Sequence, residues 1–325
     1  MVCHYHTMTI NCQRLCDIGS DGVDTSPVVI CDDTSVSAAS RARKRPSGNV
    51  RASVERRRAG VSDLIGDRPL SARSVLASAL LGADQPVLSV AELIAVASLF
   101  GVSSGAARTC LWRMVATGEL TSDNGSYALA GHLLERRERV DAASRTDDAT
   151  VLDWDGTWEL AVVSLGSRSA GDRLGLRKAA TALHLAELHE GIWIRPDNLS
   201  PTRLPTSRAV LDRQCVHFHR AATDMAPEIL KSVFSLDVWA HDATRLINAM
   251  DEELDVGPPS EEDKISRFTY EFALSIAVVR HLQLDPLLPD ELLPTTWPAR
   301  TLRSTYRRLD DTFKSRMTNA FRQKA

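Results

Sequence analysis

Apolar residues recur with a helical period through much of this chain, and the places where the period breaks divide it into units. The first clear stripe, Val75, Leu76, Ala79 and Leu80, predicts a helix that starts after Pro69 and ends at Gly82. A second stripe, Val90, Leu93, Ala97 and Phe100, runs until Gly101. Ser89 stands at its N-cap with Glu92 three residues on, so each side chain can accept from the other's backbone amide. After the Gly101-Val102 turn, Ser103 caps a third helix with Ala107, Cys110, Leu111 and Met114 facing inward. Glu119-Leu120-Thr121 and Tyr127-Ala128-Leu129 then flank Asp123-Asn124-Gly125, whose Asn-Gly pair tolerates the positive φ of a tight hairpin. The pattern predicts a winged helix-turn-helix over residues 67–132. Its candidate DNA-contacting residues are Ser104, Arg108, Thr109, Trp112 and Arg113 on the third helix and Asn124, Ser126 and Tyr127 in the wing. A purely structural three-helix module shows the same inward stripe; the added wing and the Arg108 to Arg113 spacing favour DNA binding.

Residues 133–152 carry only a thin stripe of Leu133, Leu134 and Val140 and are expected to be a linker helix. Residues 153–235 read differently. Strands are predicted over 158–164, 191–196 and 214–219, with helices over 174–188 and 227–234. This β-α-β-β-α order suggests a ferredoxin-like α/β plait without an obvious last strand. Residues 236–325 return to helical periodicity, with helices over 243–254, 261–282 and 300–321. The middle helix has Ile265, Phe268, Phe272, Ile276 and Val279 as its stripe; the last turns Leu302, Tyr306, Leu309 and Phe313 inward and Arg303, Arg307 and Arg308 outward. Between them, residues 285–298 contain four prolines and cannot be one helix. The expected class is α+β in three units: a winged helix-turn-helix, a ferredoxin-like centre and a helical C-terminal effector and dimerisation domain.

Composition narrows the function. A net charge of -3 over 325 residues excludes a chain that is basic throughout, but DNA binding needs only a local positive surface. No apolar run approaches the roughly 20 residues that span a bilayer, and the polar start lacks a signal-peptide core, so no membrane association and a cytoplasmic location are expected. Residues 1–66 have little apolar periodicity and are expected to be a disordered tail, although residues 41–58 hold eight basic residues against one acidic. Four of the six cysteines lie in the first 31 residues, but Cys3-His4-x-His6 and Cys12-x3-Cys16 match no compact zinc finger, and no disulfide framework is implied. Gly-Lys-Ser/Thr and His-Glu-x-x-His are absent, and the Gly-x-Ser-x-Gly string at Gly101–Gly105 lies in a helix-to-helix turn, not at the strand-to-helix elbow of a hydrolase, so no catalytic site and no resident cofactor are expected. His217 and His219 share one strand face as a possible metal pair or effector contact; with no third ligand visible, an ordinary strand face is the expectation. Trp154, Trp158 and Trp193 are expected in the core or between domains.

Several motifs carry a resemblance. Arg68-Pro69-Leu70-Ser71-Ala72-Arg73-Ser74, Leu99-Phe100-Gly101-Val102, Ala107-Arg108-Thr109, Arg113-Met114 and Gly118-Glu119-Leu120 resemble the N-terminal domain of PaaX-type repressors of phenylacetate degradation. Trp154-Asp155-Gly156-x-Trp158 and Gly191-Ile192-Trp193-Ile194-x-Pro196 resemble the central domain of that family, and the proline-punctuated strap resembles its closing motif. Over residues 68–306 the resemblance implies a transcriptional repressor of an aromatic or acyl-CoA catabolic operon. It further implies release from double-stranded operator DNA by an acyl-CoA such as phenylacetyl-CoA. One winged helix covers few base pairs, so a homodimer on an inverted repeat is expected. Val238-Trp239-Ala240-His241-Asp242 departs from the family pattern, which bears on the choice of effector. Small CRISPR-associated nucleases share the ferredoxin-like fold and use an aspartate near the end of the first strand; here Ser164-Leu165-Gly166 stands there, which removes a metal ligand. The alternative is an enzyme or RNA-binding protein using the winged helix as an interaction module, which would need an aromatic and basic single-strand platform.

Overall fold

Ser71, Ser89 and Ser103 each cap a helix, and the three helices so begun build the first unit. The computed structural model describes residues 55–57, 59–60, 63–64, 70–144, 151–257 and 263–322. Helix α1 (Ala72–Gly82) is followed by strand β1 (Val87–Ser89), α2 (Val90–Leu99) and α3 (Ser104–Ala116). The capping box forms as expected: Ser89 Oγ accepts from Glu92 N at 3.2 Å, and the Glu92 carboxylate accepts from Ser89 N at 2.8 Å. Strands β2 (Leu120–Asp123) and β3 (Ser126–Leu129) form a hairpin turned by Asn124 (φ 46°) and Gly125 (φ 79°). Pairing of β1 on the far side of β3 gives the order β1-β3-β2. Leu76, Leu80, Leu93, Ala107, Leu111 and Met114 meet in an apolar core beneath.

Helix α4 (His132–Ser144) is a strut as well as a linker. Leu133 at its start joins the first core, and Ala143 at its end joins the core of the last unit. Midway, the Arg137 guanidinium donates to Leu81 O at 2.9 Å and Ala83 O at 2.6 Å, satisfying carbonyls that α1 leaves open at its C-terminus.

The central unit is a complete βαββαβ plait, which corrects the expectation of a missing last strand. Its elements are β4 (Trp158–Val163), α5 (Ala170–Ala182), β5 (Ala186–His189), β6 (Ile192–Pro196), α6 (Pro205–Asp212) and β7 (Cys215–Ala221). The antiparallel sheet has the order β5-β6-β4-β7. The expected helix over 174–188 ends early because His184 takes left-handed backbone (φ 58°), and the residues after it form β5. Helix α6 escapes a periodicity reading because its eight residues bury only Leu211. Both sheet faces are covered: Ala161 and Trp193 pack under α5 and α6, while Trp158 and Ile194 pack against α7 (Pro227–Val233) and the strap.

The last unit comprises α8 (Leu236–Asp255), α9 (Lys264–Leu282) and α10 (Ala299–Arg322), with Trp239 stacked on both His281 and Trp297. Two outward and inward assignments change. Arg303, expected outside, is buried and donates to Ala143 O at 3.0 Å and Asp285 Oδ2 at 2.7 Å; Ile265, expected inside, is 61% exposed. A further cluster of Val75, Val96, Phe100, Phe272 and Phe313 joins α1 and α2 to α9 and α10. Residues 55–57 and 59–60 are helical, and the tail assignment needs correction for them. Arg57 is buried, with its guanidinium 3.3 Å from Glu253 Oε2 and also bonded to Asp263. Residues 1–54, with the cysteine and histidine spacings, lie outside the described residues. No described helix is long and apolar enough to cross a membrane.

Candidate nucleic-acid interface

Helix α3 is positioned from beneath by three fully or nearly fully buried residues, Ala107, Leu111 and Met114, at i, i+4 and i+7. That anchoring turns the opposite face outward. Ser104, Arg108, Thr109, Trp112 and Arg113 are all exposed, and Trp112 retains 70% of its surface. An exposed tryptophan beside two arginines offers an apolar ring flanked by cationic donors. Ser103 Oγ accepts from Ala106 N at 3.3 Å to fix the start of α3, and Thr117 Oγ1 donates to Arg113 O at 3.1 Å to close its end. Behind the helix, Arg73 grips the Glu119 carboxylate with two bonds of 2.8 and 2.7 Å, tying α1 to the base of the hairpin. Gly131 closes the same base, since a Cβ there would meet Gly118 O at 2.7 Å.

The wing residues divide by exposure. Asn124 sits exposed at the tip; Ser126 is half-buried and pairs with both Asp123 and Ser89; Tyr127 is half-buried against the first core. Cys110 also packs on that core, and burial pushes its thiol pKa up. The geometry thus gathers the five α3 residues on the exposed face of that helix and leaves Asn124 exposed at the hairpin tip, with Tyr127 packed on the first core.

Two features escaped the sequence. An apolar cavity of about 280 Å³ lies between units, lined by Leu81, Val96, Val140, Phe272, Ile276 and Val279, and also by Arg136, Arg280 and Lys314. Its walls come from α1, α2, α4, α9 and α10, and no local motif signals such an assembly. The second is Glu159, which the sheet register brings beside His217 and His219.

The chain matches three family models in succession. Residues 71–133 match the PaaX-like protein model, residues 152–229 the PaaX protein central Cas2-like domain, and residues 235–323 the PaaX-like protein C-terminal domain. Among solved structures it is similar to Rv0674, an uncharacterized protein from Mycobacterium tuberculosis. The two are 30% identical with a TM-score of 0.58 over 77% of this chain and 98% of that one. No curated protein matches.

Proposed function

The chain belongs to the PaaX family, and on that premise we propose that it is a DNA-binding transcriptional repressor of an aromatic or acyl-CoA catabolic operon. The observation that carries the reading is the outer face of α3, where Arg108, Thr109, Trp112 and Arg113 stand exposed on a helix anchored by an apolar core. In this reading α1 to α3 with β1 to β3 form a winged helix. Helix α3 enters the major groove and the tip at Asn124 reaches the flanking backbone. A homodimer reads an inverted repeat with half-sites about one helical turn, or a multiple, apart.

The effector in this reading is an acyl-CoA, phenylacetyl-CoA or a relative, and the inter-unit cavity is its acyl pocket. At about 280 Å³ the cavity falls just short of sites that enclose a drug-sized ligand, roughly 300–1,000 Å³, so it takes the acyl group and leaves the nucleotide outside. In this reading Arg136 and Arg280 are the side chains that meet the phosphates, whereas Lys314 is held by Asp84 at 2.5 Å and Asp310 at 2.8 Å in the same lining. A ligand wedged here acts on the Val75, Val96 and Phe272 contact that holds α1 and α2 against α9, and through it on the placement of α3. Linkage requires DNA and effector to disfavour each other equally, typically by about 1–3 kcal/mol.

The test is a titration of a preformed complex, with DNA from upstream of the gene and of its neighbours, by acyl-CoAs, their free acids and coenzyme A. A thioester is expected to release the DNA where the free acid does not. Release by an unrelated metabolite alone would remove the effector assignment, and absence of any footprint on those regions would remove the operator assignment.

A further inference from the structure

Strands β4 and β7 bring one glutamate and two histidines together on the sheet face that α5 and α6 cover. His217 stands opposite Ala161 in the register, and alternation puts Glu159 and His219 on the same face. A β-bulge falls at this point, with a register shift between Trp158 and Leu160 and left-handed backbone at Arg220 (φ 54°). One ligand atom from each of Glu159, His217 and His219 lies within 4.8 Å of the other two. The two imidazoles are nearly parallel, with centroids 6.0 Å apart.

Outer carboxylates complete the arrangement. His217 Nδ1 is 3.6 Å from Glu159 Oε1, while its Nε2 is 3.2 Å from Asp212 Oδ1. His219 Nδ1 is 3.5 Å from Asp197 Oδ2, which leaves its Nε2 for another role. Metal centres fix the tautomer and orientation of a histidine ligand with an outer hydrogen-bond partner; Asp212 and Asp197 stand in that place, although His217 Nε2 makes no hydrogen bond in this structure. We propose that Glu159, His217 and His219 form a binding site for one divalent transition-metal ion of the zinc type, with Asp212 and Asp197 as its outer carboxylates.

Two imidazoles and one carboxylate are a donor set that zinc takes with a position left open for water. Bonds of about 2.0–2.2 Å in a tetrahedron set ligand atoms roughly 3.4 Å apart, so the three side chains close slightly on binding. His219, with 55% of its side chain exposed, has the freedom to do so. Burial raises the Glu159 carboxyl pKa, but the bond to His217 and the charges of Arg208, Arg195 and His219 outweigh it and hold it below the usual glutamate value. Arg208 Nη1 lies 3.5 Å from Glu159 Oε1 and its other amino group donates to Ser200 O at 3.1 Å; the ion displaces the first contact and leaves the second. Bound there, the ion ties β7 to β4 and braces α6 through Asp212.

Zn²⁺ and Co²⁺ are the probes, titrated into the full chain after chelation and dialysis. The expected result is one ion per chain, a higher Tm with Zn²⁺, and a Co²⁺ spectrum with ligand-field bands but no thiolate charge transfer. His219→Ala, at an exposed position, should fold as the parent does by circular dichroism and lose the stoichiometric ion. Asp212→Asn should weaken binding about 10–100-fold. The proposal is overturned by an ion retained in both His219→Ala and Glu159→Gln, by no stoichiometric binding, or by a thiolate spectrum alone, which would place the ion among the cysteines.

Discussion

Helices α1 to α3 bury only apolar side chains between them, while α8 to α10 bury Glu253, Arg267, Glu271 and Arg303 alongside their apolar seam. In the first unit the arginines of α3 stay in water. In the last, Arg267 donates to Glu271 Oε1 at 3.1 Å and to Glu253 O at 2.8 Å, and Arg316 closes on the same Glu271 carboxylate. Burial pushes the Glu271 pKa up, and Arg316 and Arg267 oppose that shift. The difference teaches that an arginine count says little about nucleic-acid binding: one unit leaves the guanidinium groups of α3 exposed, and the other commits its own to the fold.

The sharpest way to break this contrast is Arg267→Ala, which removes the buried cation paired with both the Glu253 and the Glu271 carboxylates and leaves them, among the described residues, only Arg57 and Arg316. A loss of about 3–5 kcal/mol is expected, read by urea unfolding through the fluorescence of Trp239 and Trp297. Replacing Arg267 and Glu271 together by apolar residues of similar volume should recover much of that loss. In the first unit the sensitive position is apolar instead. Leu111→Ala should cost about 2–5 kcal/mol of stability and should weaken DNA binding indirectly, through the misplacement of α3.

These two units also differ in how much of them the sequence discloses. Helices α1 to α3 and the hairpin are readable because Ser89, Glu92, Ser103 and Asn124-Gly125 mark starts and turns while every charge on α3 points outward. The last unit defeats the rule that charge lies outside. Arg303 reads as solvated on its helix, and only its meeting with Asp285 and Ala143, far apart along the chain, makes burial tolerable. The central sheet hides for other reasons: β5 continues an apparently helical stripe, and α6 is too short to show one. Of the candidate site, Arg108, Thr109, Trp112 and Arg113 were evident from spacing. Glu159 beside His217 was not, since only the pairing of β4 with β7 joins them.

Arg108→Ala sharpens the contrast in the opposite sense. Its side chain is exposed, so stability should change by no more than about 0.5 kcal/mol, while operator affinity should fall by about 1–3 kcal/mol if the contact is bidentate to guanine. Thermal unfolding and fluorescence anisotropy on the same preparation separate the two effects. The smallest expected effect is at the start of α2. Ser89→Ala removes the cap that accepts from Glu92 N and should lower stability by about 1 kcal/mol.

The most direct measurement is operator affinity as a function of salt for the parent and for the Arg108→Ala, Arg113→Ala double variant, with circular dichroism confirming that both are folded. The expected result is weaker binding by the double variant at every salt concentration and a log-log salt slope lower by about 1 for each phosphate contact removed. Equal affinity and equal slope for the two proteins would contradict the assignment of α3 as the DNA-reading helix.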